Sequence, residues 1–250
     1  MSAALVQSIP AHGRHHPGSK RPVKSLPREI RHVITLVQDA QALFQQSQLS
    51  TSILGAVPRA ATKILSLGLG SFFSLRPPTQ TRRIKQLAIL LSIQQHLAKP
   101  FSEHEATKSI PVFAQDPGFT KQDEVFLSAL GLKILRTPSG SDLGEARSII
   151  DDSTLVYSPF LTLEAYELLL ATSRRKSSQA LPVRYLLGDD VNALLKKWPK
   201  HSAEREQVER VARTGLAGFR RRGVGGEGFW RDEDESFPMA LYAVEDRARL

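Results

Sequence analysis

Hydrophobic positions along the chain keep two rhythms in turn. From Arg28 to Gln48 they recur at helical spacing, with Ile30, Val33, Ile34 and Val37 on one face and Phe44 two turns on. Pro27 stands just ahead, where a helix start accepts proline. Ile53, Leu54 and Val57 predict one more short helical piece before Pro58. Lys63 to Leu67 is then a short apolar run, read as a buried strand, and it ends in Gly68-Leu69-Gly70-Ser71. A loop from Ser71 to Arg82 holds Pro77-Pro78. The next helix runs from about Thr81 to Leu97 on Ile84, Leu87, Ala88 and Leu91.

The alternation continues. Ile110 to Gln115 is the second strand, closed by Asp116-Pro117-Gly118. Thr120-Lys121-Gln122-Asp123 has the form of a capping box, Val125 to Leu130 completes that helix, and Gly131 suits a left-handed helix end. Leu132 to Leu135 is the third strand, Pro138 to Glu145 a turn-rich loop, and Thr154 to Tyr157 the fourth strand, stopped by Pro159. Leu163, Tyr166, Leu169 and Leu170 mark a helix. Val183 to Leu187 is the fifth strand, ended by Gly188-Asp189-Asp190. A polar helix from about Ala203 to Arg213, a glycine-rich loop from Gly223 to Gly228 and a last strand from Phe237 to Val244 follow. Strand and helix in alternation predict an α/β fold: Rossmann-like, three-layered, with a mainly parallel sheet and helices on both faces. The domain spans 28–250. Its motif-bearing core is 63–190, and the helix, glycine-rich loop and last strand occupy 200–250.

Composition narrows this picture. Cysteine is absent from the 250 residues, which excludes disulfides, thiolate catalysis and cysteine-based zinc sites. No apolar run approaches the roughly 18 residues of a membrane span, and the chain is expected in the cytoplasm, the nucleus or both. Residues 1–27 are proline-rich, basic and without helical periodicity, and are expected to form a disordered tail. His12, His15 and His16 lie in that tail, and a flexible segment pre-organises no metal site. The net charge is +9; Arg14, Lys20, Arg21 and Lys24 carry part of it, and Arg220-Arg221-Arg222 form a second basic cluster. Such charge suits nonspecific contact with nucleic acid or with acidic proteins, or simply two solvated flexible segments.

The candidate chemistry gathers at the strand ends, where open α/β sheets bind ligands. Gly68 and Gly70 let backbone N–H groups approach an anion, or serve a tight turn at positive φ. Asp116 can take ribose hydroxyls, or shape an Asx turn before Pro117-Gly118. Ser71 has no histidine at a strand end to act as its base, which argues against a hydrolase triad. Gly188 and Asp189 sit at the same edge. Asp189 with Asp190 can hold a cation or act as a base, or, with Asn192 near, cap a helix. Gly68, Gly70, Ser71, Asp116, Gly188 and Asp189 together make the candidate ligand cleft. No catalytic residue and no metal site is assigned, and the cofactor is left open.

Taken in order, Leu67-Gly68-Leu69-Gly70-Ser71, Gln86-Leu87-Ala88, Asp116-Pro117 with Phe119 and Asp123, Leu130-Gly131, Leu155-Val156-Tyr157-Ser158-Pro159 and Leu187-Gly188 resemble the family named Sensitivity to Red Light Reduced, the SRR-like domain. The resemblance covers about Lys63 to Asp190, with a weaker echo at Phe237 to Val244. It implies a regulatory protein, in a family linked with circadian timing in plants, with other proteins as partners and no established reaction. Where the family often has His-Cys after the strand-four proline, this chain has Phe160-Leu161. Asp189-Asp190 replace Asn-Ser, and Pro238-Met239 stand near its Asn-Asp pair. These departures lower the expectation of catalysis. The alternative is a nucleotide- or S-adenosylmethionine-dependent enzyme working in the strand-end cleft.

Overall fold

The run Lys63–Leu67 forms strand β1, buried on both sides because its neighbours supply a helical layer to each face. A computed structural model describes residues 26–73, 76–100, 108–137, 143–172, 183–234 and 238–244. The elements before β1 are α1 (Arg28–Gln45) and α2 (Gln48–Leu54). After it come α3 (Pro77–Ala98), β2 (Val112–Gln115), α4 (Lys121–Ala129), β3 (Lys133–Ile134), α5 (Ala146–Ile149), β4 (Thr154–Ser158) and α6 (Leu163–Thr172). Then follow β5 (Tyr185–Asp189), α7 (Val191–Lys197), α8 (Ala203–Arg210), a π-helical turn (Val211–Gly215), β6 (Phe219–Val224) and β7 (Met239–Val244).

The seven strands stand in the order β3-β2-β1-β4-β5-β7-β6. β1 to β5 pair in parallel, and β7 runs antiparallel between β5 and β6. Side chains alternate across the sheet, so two cores form. Ile64, Leu155 and Tyr157 join the layer of α1, α3 and α4, around Val37, Leu87 and Phe126. Leu65, Leu67 and Val156 join the layer of α6 and α8, around Leu169 and Val208. This is the Rossmann-like, three-layer α/β arrangement that the alternating pattern implies.

Several boundaries differ from the sequence reading. The helix drawn to Gln48 breaks earlier, because Ser47 caps α2, its Oγ accepting from Ser50 N at 3.1 Å. Pro77-Pro78 open α3 instead of lying in a loop, since proline lacks only an N–H that a first turn leaves unused. β5 starts and ends two residues later than expected. Gly188 and Asp189 therefore lie inside the ladder, opposite Ala240 and Met239 of β7. The polar helix stops at Arg210 and widens into the π-helical turn, where Leu216 N donates to Val211 O at 3.0 Å. The basic cluster is no flexible segment: Arg220, Arg221 and Arg222 lie in β6 at the sheet edge. Of the tail expected over 1–27, residues 1–25 lie outside the described residues, as does most of the 138–145 loop, while Leu26 packs against the core. Among the described residues no helix is long and apolar enough to cross a membrane.

Candidate functional site

Strand order reverses at β1: β2 and β3 lie to one side, β4 and β5 to the other. Loops leaving β1 and β4 therefore part in opposite directions and open a crevice at the carboxyl ends of the strands. A cleft of about 500 Å³ lies there, lined by Gly68, Gly70, Ser71, Arg83, Asp116 and Leu161 among others.

The floor is the turn after β1. Gly68 and Gly70 have φ of 78° and 67°, in the left-handed region. A Cβ on Gly70 would stand 2.4 Å from Arg83 Cζ, so the missing side chain makes room for the guanidinium. Arg83 Nη1 donates to Ser71 O. Burial lowers the pKa of Arg83, against the opposing pull of Asp116. Asp116 Oδ2 accepts from Gly70 N at 2.7 Å, and its Oδ1 accepts from Gly118 N at 2.7 Å. Gly68 N donates to Gln115 O at 3.3 Å. The glycine N–H groups are thus taken by the protein itself, and Asp116 both shapes an Asx turn and clamps the glycine turn. Beyond Ser71, Phe72 N donates to Asp123 Oδ1 at 2.7 Å. Asp123 Oδ2 meanwhile accepts from Thr120 N at 2.8 Å, closing the capping box of α4.

The opposite wall is the turn after β4. Phe160 is a non-glycine residue at φ 64°, and the Arg82 guanidinium lies 5.0 Å from its ring centroid. Phe160 N donates to both carboxylate oxygens of Asp189, at 3.1 and 3.0 Å. Tyr166 Oη donates to Ser158 O at 2.7 Å and accepts from Asp189 N at 3.0 Å. Burial pushes the Asp189 carboxyl up to about 6, although the Phe160 N–H and the Tyr166 hydroxyl favour its ionised form. Burial also raises Tyr166 well above the usual tyrosine range and Tyr242 to about 12.

Gly68, Gly70, Ser71 and Asp116 come together on the cleft. Gly188 and Asp189 do not line it. They sit behind Phe160, where a Cβ on Gly188 would meet Tyr166 Oη at 2.3 Å. Asp190 is the cap of α7, accepting from Asn192 N at 3.1 Å, and is forked by Arg221 at 2.8 and 2.5 Å. Arg83, Phe160 and Leu161 were missed as cleft residues. Arg83 is one basic residue among several at a helix start. Phe160-Leu161 were marked only by the departure from His-Cys. A second cavity, of about 530 Å³, lies between α1 and α3 against Leu36, Leu43, Lys85 and Asp234. Its buried cation and carboxylate are paired with each other. Among the described residues no cluster of His, Asp and Glu is arranged to hold a metal.

Fold and cleft together define an α/β protein with a strand-end pocket at the reversal of its sheet. The chain belongs to the SRR1 domain family, whose model matches residues 43–218. No curated protein matches the chain. Among solved structures it is similar to Aeropyrum pernix fibrillarin with natively bound S-adenosyl-L-methionine: 12% identity, 81% of this chain and 76% of that one covered, TM-score 0.42. It is also similar to the O-methyltransferase from Bacillus cereus in complex with SAH: 9% identity, 90% and 94% covered, TM-score 0.46.

Proposed function

We propose that this SRR1-domain protein is a regulatory module whose strand-end cleft binds a small nucleoside-like ligand and leaves it unchanged. The observation behind this is a polar end and an apolar wall facing one cleft. Asp116, Ser71 and Arg83 form the first; Leu143, Leu161 and Leu168 form the second. Leu168 is 39% exposed, an apolar side chain that a bound ring would cover. A carboxylate has about four acceptor positions, and each Asp116 oxygen accepts one backbone N–H, from Gly70 and from Gly118, so a position on each is left for a ribose-like hydroxyl. A general base must be free to take a proton within hydrogen-bond reach. Among the described residues the charged side chains on the cleft are Asp116 and Arg83; both are anchored on the glycine turn, and neither has a second acid or base on the cleft to exchange a proton with. That favours binding over turnover. The basic strand gives less support to nucleic-acid binding, because Arg221 is spent on Asp190 and Arg222 on Gly55 O.

Thermal unfolding with adenosine, S-adenosylmethionine or ATP tests the proposal. A ligand at a hundredfold excess over Kd adds about 2.7 kcal/mol, a rise of several degrees for a chain of this size. Ala165→Phe, which fills the cleft from α6, is expected to abolish that rise. Mass spectrometry is expected to find the ligand intact. No shift with any of the three overturns the binding claim, and a converted ligand overturns the claim of no chemistry.

A further inference from the structure

Behind the cleft wall lies a buried carboxylate that touches no ligand position. Asp189 is 5% exposed. Its clear donor is a single backbone group, Phe160 N, shared between both oxygens. Tyr166 Oη lies 3.3 Å from Asp189 Oδ2 but has one proton, and that proton has the shorter path to Ser158 O at 2.7 Å. Phe160 itself holds a left-handed backbone conformation that a side chain disfavours. The next residue, Leu161, packs on Gly68, within 3.1 Å of where a Cβ would stand. One charge-assisted hydrogen bond therefore holds a strained residue, and that residue sets the wall against the floor.

We propose that Asp189 is a positioning residue for the cleft: its ionised carboxylate latches the 159–161 turn in the ligand-binding shape, and its protonation loosens that turn. On protonation one oxygen becomes a donor. The bond from Phe160 N turns from charge-assisted to neutral, which roughly halves its strength. The left-handed strain then loses its compensation. The groups that act on Asp189 from its surroundings are Tyr166 of α6, Tyr157 of β4, Tyr242 of β7 and Lys197 of α7. The tyrosines, all raised, stay neutral over the range in which Asp189 titrates. Asp190, the adjacent carboxylate, is paired with Arg221. Burial moves the Asp189 carboxyl itself up to about 6.

The latch is measured without any ligand. The backbone amide resonance of Phe160 in the full chain is followed by NMR from about pH 5 to about pH 7.5. An inflection near pH 6 is expected, at the value to which burial moves Asp189. In Asp189→Asn, a neutral mimic of the acid form, the resonance is expected to be pH-independent and close to the low-pH position of the natural protein. No inflection, or one that persists in Asp189→Asn, overturns the latch. Should the variant not fold, the titration of the natural chain decides alone. The second arm rests on the ligand reading above. Adenosine affinity is expected to fall roughly tenfold at the acid end, on the scale of a left-handed penalty. Adenosine bound with unchanged affinity across that range refutes the gating and spares the ligand site.

Discussion

Gly70 answers two demands at once, a φ of 67° and the guanidinium of Arg83 where a Cβ would go. Gly70→Val is expected to cost the roughly 1–2 kcal/mol of a left-handed residue and more for displacing Arg83. Urea unfolding without ligand measures it, and an unchanged midpoint would contradict the turn described. Asp189 gives a pH signature of its own. Its carboxyl stands near 6 in the fold against an ordinary 3.8. Between those values the folded state holds more protons than the unfolded one, so stability falls as pH rises, by roughly 3 kcal/mol in all, and levels off above. Asp189→Asn is expected to remove that decline, as seen in melting temperatures taken across the window. At this scale the sequence revealed what one residue does to its own backbone: the glycine turn, the Asx turn of Asp116, the cap at Asp190. It did not reveal Arg83 behind Gly70 or Phe160 at positive φ, because both depend on what packs against them from elsewhere in the chain.

Helix starts were legible where a side chain bonds its own turn, and the capping box of α4 is the clearest case. Asp123 does more than cap, since it also accepts from the buried Phe72 N. Thr120→Ala is expected to cost about 1 kcal/mol. Asp123→Ala is expected to cost more, because it strands Phe72 N as well as the cap donors, at roughly 1–3 kcal/mol for each buried group left unpaired. Equal costs in urea unfolding would show that the link from α4 to the cleft turn contributes nothing. The cap that starts α7 was legible at Asp190, but the extent of the helix was not, because it follows β5 without a loop, Asp190 serving as both strand exit and cap. β6 was missed because Arg220 to Gly223 are exposed. An edge strand carries charge to deter pairing, so it lacks the apolar alternation by which strands are recognised.

The whole molecule was legible as far as its parallel part. Alternating apolar runs imply crossover units, and right-handed crossovers limit the strand orders available. The insertion of β7 between β5 and β6 was not, since it pairs Met239 to Val244 with a strand some fifty residues back. That insertion extends β5 to Asp189, and so sets the carboxylate behind the cleft wall. The reversal of strand order at β1 remains the feature on which the function turns, since it opens the cleft. The most direct test is a residue-resolved NMR titration of the full chain with adenosine and with S-adenosylmethionine. At least one of them is expected to perturb the amides of Gly68, Gly70, Asp116 and Leu161 together. Saturation with no change at these residues, or changes gathered instead at Leu36, Leu43 and Lys85 in the cavity between α1 and α3, would contradict it.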